Sequence, residues 1–356
     1  MHNFKALIAI TGLILTYSPS FATPRFAAMD EQKCNLCHAN PTGGGMRNTF
    51  GSQYFAQTEM AVHKVDLNDI TKFQPNVSDN ISIGMDMRNI YFYNKDAKQS
   101  TIFQMEGNFY LSAQLTDKFE MATSRDINGN YDIYGAGYYL PERGYFKIGR
   151  FMPSYGWHFE DHTSFVREKM LWTPTYYDTG IEFGLYPYGI SANLGIFNGT
   201  SGQLDNNQGK AIAARLEGRK KLGKIGFGLG GSYWHNDNQL LSLDMYGPFF
   251  YINALKGRLI HLGEADWLKD KNTDIKTFAT TQKIALRIKQ GIWVEGQYDF
   301  YDPDIDLKNG SINRYVLNLD YFPIAFVEIM PTLRYYDDKI AGNTYVDFIQ
   351  QFHFFF

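Results

Sequence analysis

Both cysteines of this chain fall in one short run, Cys34-Asn35-Leu36-Cys37-His38. Two thiols at this spacing, followed directly by an imidazole, form the attachment signal for c-type haem. Each thiol can form a thioether to one of two vinyl groups on the same haem edge. The adjoining His38 then lies beneath the iron as its proximal ligand. The competing chemistries need residues that do not follow. A structural zinc site needs four ligands, and no second Cys/His pair appears at finger spacing. A thioredoxin-like redox pair needs a βαβ context. A lone disulfide across a two-residue gap is a rare staple. The motif therefore predicts one covalent haem c, held by Cys34 and Cys37.

The distal iron position has several candidates. Met46 lies eight residues beyond His38, and eight extended residues reach roughly 26 Å, enough to wrap a haem edge. Gly43, Gly44 and Gly45 precede it and allow close backbone approach and positive φ, so they are expected to line the haem pocket. A Met ligand would raise the reduction potential. Met60, His63 and His162 compete with it. The segment 152–178 is far longer than neighbouring connections and holds His158, Glu160, Asp161 and His162. Long structureless loops tend to be functional. This one either folds inward or serves as an external docking site, and His158 and Asp161 are its candidate metal contacts.

The elements that must carry these residues begin with a leader. Residues 1–22 combine Lys5, an apolar run from Ala6 to Leu15, and small residues at Ser20 and Ala22. That is the layout of a bacterial secretory signal peptide. Ten apolar residues are too few to span a bilayer, which needs about 20. Export with no later apolar helix leaves a barrel as the way into a membrane.

Composition agrees. The chain has 356 residues, 34 Lys plus Arg against 37 Asp plus Glu, and 16% aromatics, including 28 Phe and 25 Tyr. A net charge of −3 excludes nucleic-acid binding through a basic face. Two cysteines exclude a disulfide scaffold. The hydrophobic fraction of 44% excludes a disordered chain.

From residue 80 the pattern alternates with period two. Ile181, Phe183 and Leu185 alternate with Glu182, Gly184 and Tyr186, and Phe103, Met105, Phe109 and Leu111 alternate with polar neighbours. Sixteen strands are predicted, at about 80–93, 101–113, 117–125, 131–140, 144–151, 179–186, 189–197, 209–219, 225–235, 242–252, 257–267, 278–289, 291–301, 311–321, 325–335 and 344–356. Tight connections such as Pro187-Tyr188 and Gln290-Gly291 alternate with longer polar ones at 95–100, 198–208, 269–277, 302–310 and 337–343. Short turns on one side and long loops on the other mark an outer-membrane barrel with periplasmic turns. The terminal Phe354-Phe355-Phe356 suits its last strand. Inward charges, among them Glu106, Glu182, Arg215, Glu217, Lys283, Arg287, Glu295, Asp299, Arg314 and Asp320, are expected to form a solvated pore wall with paired charges. The chain thus divides into a signal peptide (1–22), a monohaem segment (23–79) and an all-β transmembrane antiparallel barrel (80–356) in contact with outer-membrane lipid.

This order resembles the fused monohaem cytochrome–porins, outer-membrane c-type cytochromes of iron-oxidising bacteria. The matching residues are Cys34, Cys37 and His38, then Pro41, the Phe50-Gly51 pair and the barrel behind them. The resemblance implies electron transfer between an extracellular donor, plausibly Fe²⁺, and a soluble periplasmic cytochrome or similar carrier, with the haem segment in the periplasm or inside the lumen. It also implies ferrous iron oxidation and inward flow. Asp302, Asp304 and Asp306 are loop carboxylates able to attract Fe²⁺. Separately, Gly149–Gly156 looks like the strand-to-loop segment of phosphate-selective-type porins. The second reading is a diffusion porin whose haem segment acts as a plug or redox gate.

Overall fold

Strands that are greasy on one face and charged on the other need lipid on one side and something polar on the other. Closing the sheet on itself supplies both and leaves no unpaired edge. The computed structural model describes residues 24–356 apart from 31, 64, 66–74, 171–175, 202–203, 206, 238–241 and 309. The leader expected over 1–22 lies outside the described residues.

The barrel has sixteen strands. In chain order they are β1 Ile81–Asn94, β2 Gln99–Thr116, β3 Phe119–Asp126, β4 Tyr131–Leu140, β5 Gly144–Phe151, β6 Asp178–Leu185, β7 Ile190–Phe197 and β8 Ala211–Leu222. The second half is β9 Ile225–Asp237, β10 Ser242–Ala254, β11 Leu259–Asp270, β12 Lys276–Lys289, β13 Ile292–Asp302, β14 Ile312–Tyr321, β15 Val327–Asp338 and β16 Asn343–Phe355. Each pairs with its chain neighbours, and β1 pairs with β16 to close the barrel. The closing ladder is antiparallel and places Asp86 opposite Phe355 and Asn94 opposite Asp347. All sixteen predicted strands are present.

Two details of the sequence reading change. Alternation along β2 breaks at a bulge, where Glu106 pairs with Arg88 and Gln104 with Asn89, leaving Met105 unpaired. An extra residue reverses the facing of everything before it. Ile102 and Gln104 therefore point outward in place of Phe103 and Met105. Several loops also shrink, because the ladders run on to Asn94–Gln99 and Asp338–Asn343.

The outward face is apolar and exposed. Ile181, Phe183 and Leu185 on β6, Leu194 and Ile196 on β7, and Leu317 and Leu319 on β14 all stand there. An exposed apolar belt around a barrel suits hydrocarbon, not water.

The lumen is filled from both ends. From the short-turn end comes an N-terminal segment with helix α1 (Pro24–Met29), a 3-10 turn (Cys34–Leu36) and a π-helix (Phe50–Met60). Its contacts circle the wall. Arg25 is 1% exposed and bonds Glu295 and Asp320. Asn253 donates to the carbonyls of Ala28 (3.1 Å) and Met29 (2.7 Å). Gln290 donates to Thr58 O at 2.8 Å, and Val62 N to Phe322 O at 2.9 Å.

From the long-loop end, the connection between β5 and β6 turns inward and carries the short helix α2 (Phe165–Glu168). Tyr155 donates to Asp266 at 2.8 Å, Phe165 N to Asp299 at 3.2 Å, and Arg314 to Asp161 at 2.9 Å. The main apolar core therefore lies inside the barrel, where Phe55, Met60, Trp157, Phe159 and Phe165 join wall residues Trp234, Phe249, Tyr251 and Trp293. The inward charges do not form a solvated wall. Glu106, Glu182, Lys283, Glu295, Asp299, Arg314 and Asp320 are buried. They are paired with each other or with the inserted segments, as in Arg88–Glu106 (3.3 Å), Lys147–Glu182 (3.1 Å) and Lys283–Glu295 (2.8 Å).

Candidate functional site

Where the two insertions meet, the structure places the Cys-x-x-Cys-His motif. The 3-10 turn brings the amides of Cys37 and His38 back to the Cys34 carbonyl, both at 3.2 Å. Cys34, Cys37 and His38 are thereby collected on one turn. Three consecutive glycines then reverse the chain, Gly43, Gly44 and Gly45 having φ of +88°, +76° and +63°. The reversal lets Ala39 N reach Met46 O at 3.0 Å and pairs His38 with Arg47. Asn48 clamps the turn: its amide donates to Leu36 O at 3.0 Å, its side-chain oxygen accepts from Gly51 N at 2.9 Å, and its backbone N–H bonds Cys37 O at 2.9 Å. Sequence reading missed Asn48. Its only signal is that Asn can satisfy several backbone groups of a turn at once.

A pocket opens beside this turn. Cys34, Cys37 and His38 line it, as do Gly43 and Gly44. From the inserted loop come Ser154, Tyr155, Gly156, Trp157 and His158. Phe26, Phe55 and Met60 supply apolar walls, and Lys33, Arg47, Arg215 and Arg219 supply cations. Arg215 and Arg219 share one carboxylate, Glu217, at 3.1 and 2.7 Å, so that wall carries an excess positive charge.

This donor set fits a c-type haem. The two thiols are unbridged. Burial pushes the Cys37 thiol up to about 12. His38 is buried, and burial together with the charge of Arg47 holds its imidazole down to about 4. A neutral imidazole offers the lone pair that iron needs. Glycine at 43 keeps the turn close, since a Cβ there would sit 2.8 Å from Cys34 Cβ and 3.1 Å from its sulfur. Aromatic walls with cations at one side suit a flat macrocycle bearing carboxylates.

The other expected site residues lie as follows. Met46 is buried against the β1 wall, where a Cβ on Gly84 would be 3.6 Å from its Cγ. A Cβ on Gly45 would meet Tyr110 at 3.8 Å. His162 Nε2 lies 3.5 Å from Arg88 Nη1, away from the cavity. Asp161 accepts from Arg314 (2.9 Å), Arg334 (3.0 Å) and Gln297 (3.1 Å), and so is an anchor of the loop. Among the described residues no group of three or more His, Cys, Asp or Glu is placed to hold a metal ion. In the loop after β13, Asp306 pairs with Lys276 at 2.8 Å, while Asp302 and Asp304 accept from backbone amides at 3.1 and 3.2 Å.

No known protein family matches the sequence, and no curated protein does. Solved structures do match in fold. An anion-selective porin from Comamonas acidovorans aligns with a TM-score of 0.58 at 13% identity, covering 78% of this chain and 99% of its own. OmpT, an outer-membrane protein of Vibrio cholerae, aligns with a TM-score of 0.56 at 12% identity over 80% of this chain and all of its own. OprB of Pseudomonas putida gives 0.57 at 8% identity, over 78% and 94%. The fold is thus a closed sixteen-stranded antiparallel barrel of porin architecture, with an N-terminal segment and one long loop packed in its lumen.

Proposed function

We propose that this protein is an electron conduit of a bacterial outer membrane, with one covalent c-type haem held by Cys34 and Cys37 and His38 as the proximal iron ligand. The carrying observation is where the motif lies: inside the barrel, on a cavity walled by aromatic and cationic side chains. A bilayer core is about 30 Å thick, and a haem bound there supplies a reversible one-electron centre within that gap. The chain's own residues set its surroundings. The neutral His38 ring is held in the turn clamped by Asn48. Phe26, Phe55 and Trp157 form apolar walls of the cavity, and Arg215 and Arg219 would balance acidic groups bound beside them. The proposed partners are an extracellular donor, with Fe²⁺ the candidate, at the long-loop end, and a soluble periplasmic cytochrome or similar carrier at the short-turn end.

A second reading is an outer-membrane diffusion channel, which the likeness to porins favours. The filled lumen weighs against it, because a solute pore needs an aqueous path and the inserted segments occupy that space.

Liposomes containing the haem-loaded protein and a trapped, membrane-impermeant oxidant separate the two. External Fe²⁺ should reduce the trapped oxidant, and a Cys34→Ala/Cys37→Ala protein should abolish this while still forming a heat-resistant barrel on gels. Free leakage of small solutes with no electron transfer would establish the channel reading instead.

A further inference from the structure

The cavity has two sides built from different parts of the chain. One is the N-terminal segment with Cys34, Cys37 and His38. The other is the stretch Ser154–His158 of the inserted loop, which reaches the same space from the opposite end of the barrel. We propose that His158 is the distal iron ligand, giving a bis-histidine site whose two axial residues come from the two insertions. This rests on the haem reading above and specifies how that site is completed.

Geometry selects His158 from the other candidates. It lines the cavity together with His38. Met46 packs against the β1 wall at Gly84, and His162 faces Arg88. His63 is exposed beyond the π-helix. Met60 lines the cavity, but from the same N-terminal segment that carries His38.

The loop is also fixed where a ligand would need it. Trp157 N donates to Glu264 at 2.6 Å, and its indole N–H to Phe250 O at 3.1 Å. Gly156 N donates to Ser232 at 2.8 Å, and its carbonyl accepts from Arg215 Nε at 3.2 Å. Gly156 has φ of +47°, and a Cβ there would collide with the Glu264 carboxylate, so only glycine lets the chain approach β11 this closely. These bonds hold the residues before His158 to β9, β10 and β11 and fix where its imidazole enters the cavity. Coordination is a dative bond from an imidazole lone pair and requires no proton or electron to leave.

The test uses the full-length, haem-loaded protein and reads the iron spectroscopically. Haem staining of denatured protein first establishes covalent haem; its absence would overturn the functional reading itself. With haem present, the wild type should show a low-spin, six-coordinate spectrum without the methionine–sulfur charge-transfer band. His158→Ala should turn the iron high-spin and open it to carbon monoxide in the reduced state, and added imidazole should restore the low-spin spectrum. His158→Met should keep six-coordination, gain the sulfur band and move the potential in the positive direction. Met46→Ala and His162→Ala should leave the wild-type spectrum unchanged. A His158→Ala protein that stays low-spin, or loss of low spin in either of the other two, would overturn the assignment while leaving the haem reading intact.

Discussion

At the scale of single residues, two glycines of the turn that carries Cys34, Cys37 and His38 differ in what they require. Gly45 has a positive φ but open surroundings, since the nearest atom to an added Cβ is a Tyr110 ring carbon at 3.8 Å. Gly43 has both a positive φ and no space against Cys34. A non-glycine residue in the left-handed region costs about 1–2 kcal/mol, and asparagine enters it more readily than other side chains. Gly45→Asn should therefore leave haem loading close to wild type. Gly43→Asn should reduce covalent haem per folded barrel several-fold, read as haem stain against barrel yield on gels. Equal loading in the two variants would show that the contact with Cys34 does not matter. The grouping of Cys34, Cys37 and His38 was legible in the sequence because they are adjacent in the chain. Asn48 was not, because its bonds join backbone groups that meet only after the glycine run has reversed the chain.

At the scale of elements, the loop between β5 and β6 is held by a charge cluster. Asp161 takes hydrogen bonds from Arg314, Arg334 and Gln297. Burial alone would raise its pKa, yet the two guanidiniums hold the carboxyl well below the usual carboxylate range. A group whose folded pKa is depressed stabilises the fold above its unfolded value, and loses that effect only as pH falls through the lower folded one. The loop should therefore stay inserted at least down to about pH 4, the unfolded range for Asp. Asp161→Ala takes the carboxylate from Arg334 and leaves Arg314 with Asp299 alone (2.8 Å), and breaking a buried pair costs about 3–5 kcal/mol. We expect that variant to show raised ion conductance in planar bilayers and cleavage of the segment 152–177 by added protease. Unchanged conductance and resistance to protease would mean that Tyr155, Trp157 and Phe165 suffice to hold it. The loop's unusual length was visible in the sequence. Its inward path was not, because either destination satisfies the same polar residues.

At the scale of the whole molecule, barrel and insertion are distinct in topology. The sixteen ladders close on one another, and among the described residues no strand of the N-terminal segment takes part in them. Exported protein lacking residues 24–63 should still assemble into a heat-resistant barrel, since the ladder bonds and outer apolar belt remain. It should bind no haem and should conduct ions, because Glu295, Asp320 and other wall charges that the segment covers would then be hydrated. Failure to form a barrel would show that the Arg25 contacts with β13 and β14 are needed for folding.

Strand number, the lipid-facing side of most strands and the Cys34-x-x-Cys37-His38 spacing on which the haem proposal rests are all legible in the chain. All three follow from local rules, namely period-two alternation, turn composition and thiol spacing. The bulge at Met105 marks the limit of such rules, because an unpaired residue is defined by its partner strand. The folded barrel adds that the lumen is filled, that its charges are buried, and that His158 shares a cavity with His38. Those facts depend on segments more than a hundred residues apart meeting inside the barrel, and hydrophobic period carries no record of which inward residues touch across a lumen.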